Sequence, residues 1–479
     1  MFKHFQLILK MWLYVLILVI IILIILFLIY YYYKCTYTYD FAEIISCKPY
    51  KKFKINSYKQ LSQILQDYQD QQISIAGGKF SHGGQTMLNN GLYLDMIELN
   101  KIINLDKENM QVTVQAGITW DTLQQYLDVH DLSVAEMQSY RNFTVGGSIS
   151  INCHGRGSIY PTIAESIVSL KVMLVNGEIV DCCNTRDIDL FKSVIGGYGL
   201  IAIILEATLH IVKNEVLTRQ VVNTTIQEIP NFIKQCLENS DIDFYNCNIY
   251  PSQEHKAVHI FYRKANLHLN DLPDLPKLQQ QHEYYWSEMT KEQLLRRVPF
   301  IKQIRASSEP QQLEQFELIN RNYEMSYDVR QLQPLIKYPS TSILQEYFIP
   351  LENLVDFLTK FWTIVKQHSV NLLNLSIRHV GYSQIPILNY TKVEDTVAVV
   401  LYLNIWNNTS GIDSTKIWTQ QAIDLALSYQ GSYYLPYLPL ATKQQFQLAY
   451  PNYQQFLKLK KIYDPNHKLN NMFAEEYLT

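Results

Sequence analysis

Two short stretches hold the residues best suited to chemistry. The first is Ala76-Gly77-Gly78-Lys79-Phe80-Ser81-His82-Gly83-Gly84-Gln85, and the second is Thr144-Val145-Gly146-Gly147-Ser148-Ile149-Ser150-Ile151-Asn152-Cys153-His154-Gly155. Each sets paired glycines beside small polar residues directly after an apolar, strand-like run, which frees backbone N–H groups to approach a phosphate or a planar ring closely. A pyrophosphate carries two negative charges, and a glycine loop with Ser81 can meet it with converging N–H donors and a hydroxyl. The chemistry is that of a flavin site. No G-x-G-x-x-G lies between a strand and a helix, which disfavours a Rossmann nucleotide site.

The elements that must position these residues follow from periodicity. Ser57 to Gln69 reads as a helix with Leu61, Ile64 and Leu65 on one face behind a Ser57 cap. Short strands follow at Ile73–Ala76, Leu92–Leu94, Ile102–Leu105 and Val112–Gly117. Thr119–Asp128 is a second amphipathic helix, and the Gly146-Gly147 stretch after it reads as a loop. Ile167–Leu174 and Glu178–Asp181 flank Asn176-Gly177, a hairpin signal. Asp187–Val194 is a short helix, and Gly196-Gly197-Tyr198-Gly199-Leu200-Ile201 leads into the strand Ile203–Leu209. From about Glu215 onward, strands at Asp243–Tyr250, Ala257–Tyr262, Ser342–Pro350, Asn374–Val380 and Val397–Trp406 alternate with helices at Ile226–Leu237, Leu351–His368 and Ile417–Ser428. The class is α+β, the second part being an antiparallel sheet covered by helices.

At 479 residues, with 48% hydrophobic and 18% charged content, the chain can bury large cores and should divide into at least two domains. A net charge of −3 and the lack of a Lys/Arg stripe argue against nucleic-acid binding. Seven cysteines match neither zinc spacing nor a disulfide framework, so they read as free thiols of a reducing compartment, and no metal site is expected. Met11 to Tyr33 carries no charge; as a helix it would be about 35 Å long, enough to cross a bilayer. Its end in Tyr30-Tyr31-Tyr32-Tyr33-Lys34 resembles an interfacial belt and not a cleavage site. Lys34, Lys48, Lys51, Lys52 and Lys54 against Lys3 and Lys10 tilt the orientation towards a cytoplasmic globular part. The sequon Asn142-Phe143-Thr144 runs into the second stretch, where a glycan would obstruct the proposed flavin loop, which agrees with that side.

Residues 55 to about 215 resemble the flavin-binding domain of the vanillyl-alcohol oxidase and p-cresol methylhydroxylase superfamily. The resemblance runs through an ordered set: Gly77-Gly78 with Ser81 and Gly83-Gly84-Gln85, Ala116-Gly117 with Trp120, Thr144-Val145-Gly146-Gly147, His154-Gly155, Asn176-Gly177-Glu178, and Gly196-Gly197-Tyr198-Gly199. Within it, the motifs are most similar to the decaprenylphosphoryl-ribose oxidase branch. The stretch Tyr463-Asp464-Pro465 to Asn470, then Met472-Phe473, resembles the superfamily's return of the chain to the flavin domain. The apolar run and the Tyr/Lys-rich composition after it give a membrane anchor at 1–35 and a tether at 36–54; the resemblance implies a two-subdomain PCMH-type FAD-binding domain at 55–215, a substrate cap at 216–430 and a returning segment at 431–479. It implies FAD as cofactor, held by Gly77, Gly78, Lys79, Phe80, Ser81, His82, Gly83, Gly84, Gln85, Gly117, Thr144, Gly146, Gly147, Ser148, Asn152, Cys153, Gly155, Gly199 and Ile201.

Relatives that tether FAD through histidine carry it just before the loop serine, where this chain has Phe80, so FAD is expected to be non-covalent. His82, one place after Ser81, reads as a loop histidine contacting phosphate or solvent, and Cys153 as a packed thiol. The aldonolactone oxidases bind substrate through a Glu-x-Arg and a late His-Trp-x-Lys; here these read Ser376-Ile377-Arg378 and Tyr434-Leu435-Pro436-Tyr437, and only Arg378 survives. His154 either hydrogen-bonds the flavin or a substrate hydroxyl, or pins its own loop. Tyr434 and Tyr437 either donate to substrate or pack as aromatics. The implied reaction is oxidation of a CH–OH group of a sugar, polyol or lipid-linked sugar, with oxygen or a quinone as acceptor. Two alternatives stand beside it. Thr442 and Phe446 resemble the sterol Δ24-reductases, which reduce a C=C bond with NADPH, and the missing Glu, His and Lys leave open a membrane-tethered flavoprotein with little activity.

Overall fold

The computed structural model describes residues 2–479 except 158–159, 268–271, 273, 280–284, 315–316 and 333–336. Its first element is the helix Phe2–Thr36. Within it Lys10–Thr36 is apolar enough to cross a membrane, and none of its most apolar window is buried inside the structure.

Among the described residues a two-stranded pairing, given below, and three larger sheets follow. Lys51–Lys54, Leu92–Asp95 and Ile73–Ala76 form a small parallel sheet with Leu92–Asp95 in the middle. The helix Tyr58–Asp67 turns Leu61, Ile64 and Leu65 inward, and Ser57 caps it by accepting the Gln60 N–H. A six-stranded antiparallel sheet runs Ile179–Cys183, Ile167–Met173, Ile203–Lys213, Gln111–Gln115, Ile102–Asp106, with Leu132–Val134 also pairing to Ile203–Lys213. The hairpin expected at Asn176-Gly177 is present, with Gly177 at φ +88°, a conformation that favours glycine.

The third sheet has eight strands in the order Leu318–Asn320, Val216–Thr225, Lys256–Lys264, Ile242–Ile249, Leu372–Val380, Thr396–Trp406, Ser340–Pro350, Ser432–Tyr433. Leu354–Gln367 and Thr409–Ser428 pack against each other, and Thr409–Ser428 also contacts strands Thr396–Trp406 and Ser340–Pro350. Thr409–Ser428 begins earlier than the expected Ile417 because Asn408 caps it, accepting the Gly411 N–H. One continuous apolar core joins the six- and eight-stranded sheets, while a smaller one lies around the parallel sheet. The end of the chain does return: Leu469 bridges to Ile73, and the Asn471 side chain donates to the Gln85 and Tyr198 carbonyls.

Two expectations are corrected. Residues 36–54 are not a free tether. Thr38–Tyr39 pairs with Ser46–Cys47, Lys51–Lys54 is a strand of the parallel sheet, and Ala42 is fully buried. The tyrosine and lysine content suggested a linker, but the apolar residues between them find partners on the globular part. The Gly146-Gly147 stretch is likewise not a loop. Val145–Ser150 is a short helix, capped by Thr144, whose hydroxyl accepts the Gly147 N–H. The two glycines concealed this helix, since glycine is a poor helix former.

Candidate active site

The first glycine stretch leaves the strand Ile73–Ala76, and the second opens the short helix behind Thr144, so the two meet face to face. A Cβ added to Gly77 would sit 2.2 Å from Thr144 Oγ1, and one added to Gly146 would sit 2.7 Å from the Ala116 Cβ. Only glycine lets the backbones close to this distance. Lys79, at φ +64°, turns its ammonium onto Asp95 at 2.6 Å. Trp120 is fully buried beneath them and donates from Nε1 to Ser148 Oγ at 2.9 Å, fixing the helix from below.

These stretches form one wall of a cavity whose other wall is the eight-stranded sheet. The space free of protein atoms in and around it is about 1540 Å³, part of it open solvent. Of the expected cofactor residues, Gly77, Gly78, Lys79, Phe80, Ser81, His82, Gln85, Thr144, Gly146, Gly147, Ser148 and Gly199 line it. Gly83, Gly84, Gly117, Asn152, Cys153, Gly155 and Ile201 do not, and act behind the wall. A Cβ on Gly117 would meet the Met96 carbonyl oxygen at 2.0 Å, and one on Gly155 the Met137 carbonyl at 2.1 Å. Cys153 and Ile201 are core residues, and burial pushes the Cys153 thiol well up. Asn152 holds φ +46°, and its carbonyl accepts the Tyr390 hydroxyl.

His82 was expected to contact phosphate or solvent; solvent is ruled out, because it is buried and Phe41 of the N-terminal segment stacks on it with ring centroids 5.6 Å apart. Burial depresses its imidazole to about 3, so it is neutral. Phe80 stands between Phe41 and Phe143, with centroids 4.9 and 4.8 Å away.

All four expected catalytic residues line the cavity: His154, Arg378, Tyr434 and Tyr437. They are organised by a residue the sequence reading missed. Glu346, on the strand Ser340–Pro350, is 2% exposed. His154 Nε2 lies 2.5 Å from its Oε1, and the Tyr437 hydroxyl donates to its Oε2 at 3.1 Å. Tyr434 instead donates towards the Ile151 and Asn152 carbonyls, at 3.2 and 3.3 Å, and so ties down the His154 segment. Burial and the Glu346 carboxylate push the Tyr437 phenol well above its ordinary range, so it stays protonated. The Arg378 pKa is lowered by burial and by Arg156, yet its Nε has no protein partner.

Strand register explains how Glu346 arrives. Ser376 pairs with Val400, which pairs with Glu346, so the carboxylate stands in the same cross-sheet row as Ser376, two strands away. Arg378 lies one step along, paired with Ala398. The signal in the sequence was the one acid of a largely apolar strand run, Ile343-Leu344-Gln345-Glu346-Tyr347-Phe348-Ile349.

His82 Nδ1, Ser139 Oγ and Arg378 Nε are buried without a partner, and their residues line the cavity. Buried polar groups are rarely left so, and a ligand with phosphates at one end and a polar ring at the other suits them together with the glycine backbones. This is the site of a flavoprotein, and residues 53–183 match the FAD binding domain family. The match and the relatives below support, for that part of the chain, the vanillyl-alcohol oxidase and p-cresol methylhydroxylase superfamily, and the cofactor is FAD. The chain is 26% identical to L-gulonolactone oxidase of Mus musculus over 46% of its length and 50% of the relative's. It is 28% identical to mitochondrial L-galactono-1,4-lactone dehydrogenase of Arabidopsis thaliana over 34% of its length and 26% of the relative's. With decaprenylphosphoryl-beta-D-ribose oxidase of Mycolicibacterium smegmatis it shares 33% identity over 28% of its length and 30% of the relative's. The chain thus spans half the length, or less, of these curated relatives. Among the described residues no group of three His, Cys, Asp or Glu is placed to hold a metal ion.

Proposed function

We propose that the chain is a membrane-anchored, FAD-dependent oxidoreductase that oxidises a CH–OH group of a sugar, a polyol or a lipid-linked sugar, its eight-stranded sheet serving as the substrate cap and its globular part facing the cytoplasm. The observation that carries this reading is Glu346, buried against the cavity and bonded by both His154 and Tyr437. Removing a hydride from a carbinol carbon requires the hydroxyl proton to leave as well. FAD, when bound, supplies the two-electron acceptor; the proton is the protein's task.

Tyr437 is a protonated phenol whose hydrogen already points at Glu346. A substrate hydroxyl that donates to the Tyr437 oxygen passes its proton there as the phenol proton moves to Glu346, which leaves one proton on the carboxyl. His154 holds the other oxygen of Glu346 and fixes its orientation. The Arg378 guanidinium supports the oxygen as charge develops on it, a role that preorganised donors in a dry site perform well. Lys79, Ser81 and the two glycine stretches would hold the phosphates of bound FAD.

Glu346 also weighs against an inactive flavoprotein, because it supplies a carboxylate where the Glu-x-Arg pattern lacks one. The test is anaerobic. Purified full-length protein in detergent is mixed with CH–OH compounds of the three classes, and separately with NADPH, while visible flavin absorbance is followed. Bleaching by an alcohol supports the proposal. Bleaching by NADPH alone points to the C=C reductase, and no bleaching by either points to a flavoprotein without this activity.

A further inference from the structure

The membrane-spanning helix does not end in open space. Lys52 of the parallel sheet donates from Nζ to the Cys35 and Tyr37 carbonyls at 3.1 and 2.9 Å, and Tyr33 stacks on Tyr37. Lys34, in the helix's last turn, lies 4.0 Å from Glu43, and Lys337 reaches the same carboxylate at 3.4 Å. Lys337 also donates to the Phe41 carbonyl, and Asn407 donates from Nδ2 to the Glu43 and Lys337 carbonyls. The helix end is therefore stitched to one end of the eight-stranded sheet through residues 37–47.

That sheet end carries two large aromatic side chains with no apparent reason to be in water. Tyr338 is 69% exposed and Trp406 is 61% exposed. They are neighbours: Trp406 pairs with Ser340, and the Asn407 N–H donates to the Pro339 carbonyl. Each is next in sequence to a residue that touches residues 41–43, Lys337 or Asn407. Exposed Trp and Tyr beside lysines are the composition of a membrane–water interface.

We infer that the sheet end bearing Tyr338 and Trp406 rests on the phospholipid headgroups, as a second membrane contact beside the spanning helix. The inference rests on reading Lys10–Thr36 as a membrane span, as proposed above. Its occupant is the bilayer surface because the helix emerges against this same sheet end, so a bilayer holding the helix must come close to it. The consequence reaches the cavity. Phe41, half-buried, is both a lining residue and a neighbour of the Lys337 ammonium, which lies 5.5 Å from its ring centre. The cavity edge at Phe41 then lies near headgroup level. A substrate of amphiphilic class, with its polar end oxidised and its apolar end left in lipid, can enter there without crossing water.

The test uses the full chain in nanodiscs of phosphatidylcholine, either ordinary or brominated near the glycerol end of the acyl chains, since bromine quenches tryptophan on contact. Trp12 lies in the spanning helix and is exposed on it. The parent is compared with W12F, and W12F with W12F/W406F. The expected result is that W12F retains bromine-sensitive emission and that W406F abolishes it. If W12F loses all bromine sensitivity while the parent shows it, the helix is inserted and the second contact is refuted. A parent without any bromine sensitivity refutes the span itself. Association of the chain into dimers that is lost in W406F, without quenching, shows a second copy on this face and also overturns the inference.

Discussion

At the scale of single residues, the proposed role of Glu346 as the proton's destination makes a specific prediction. E346Q keeps the shape and can still bond His154 and Tyr437, but it cannot take a proton. It should bind FAD as the parent does, shown by an unchanged visible spectrum, and lose turnover by roughly 10²–10⁴-fold, the usual contribution of general base catalysis. A variant that turns over normally would refute the role. A second prediction concerns Phe80 and His82. Phe80 has no nucleophilic atom, and His82, although neutral and with Nδ1 unpartnered, stands one place after Ser81. Acid precipitation should release the yellow colour into the supernatant. Colour retained in the pellet would establish a covalent bond and bring His82 or Cys153 forward. Residue identity was legible from sequence where function is written in local order: the glycine stretches, His154 and Tyr437 all reach the cavity. Glu346 was not, because its partners lie 192 and 91 positions away along the chain, and only strand register brings them together.

At the scale of elements, the segment around Asp40 gives a pH prediction. Burial pushes the Asp40 carboxyl up from 3.8 to about 7, against the Ile44 and Ile45 N–H groups that bond Oδ1 and the Lys337 charge that favour its ionised form. Its other oxygen, Oδ2, has no partner. Between 3.8 and about 7 the folded segment binds more protons than the unfolded one. Its stability is therefore fully present below about 4 and falls as pH rises through about 7. Amide exchange of residues 37–47 should accordingly show more protection, after correction for intrinsic rates, at pH 5 than at pH 8. D40N keeps the acceptor but cannot ionise, and should abolish the difference; an equal difference in D40N would refute the assignment. The sequence hid this segment because its tyrosines and lysines have no helical or strand period, whereas its Phe41 and Ala42 carbonyls are held by Lys337 and Thr341, 296 and 299 positions along the chain. Strands such as Ile167–Met173 and Thr396–Trp406 were readable because β-branched residues mark them directly, whereas Val216–Thr225, with Thr, Arg, Gln and Asn among its residues, was not anticipated.

At the scale of the whole molecule, the cavity is shared property. One wall comes from the glycine stretches, another from strands Ser340–Pro350, Leu372–Val380 and Thr396–Trp406, and a third from Phe41. The six- and eight-stranded sheets also share one apolar core, so neither can open its side of the cavity without exposing surface that the other buries. A ligand bound between them should therefore stabilise both. At a free FAD concentration about 100 times its dissociation constant, the gain is about 2.7 kcal/mol if the unfolded chain does not bind it. Stripped of flavin and then titrated with FAD, the full chain in detergent should melt in one transition whose midpoint rises with FAD concentration. The Ser340–Pro350 strand and the Val145–Ser150 helix should gain amide protection together. Two transitions, of which only the lower-numbered half of the chain responds to FAD, would show instead that the eight-stranded sheet folds independently and that the shared core contributes little coupling.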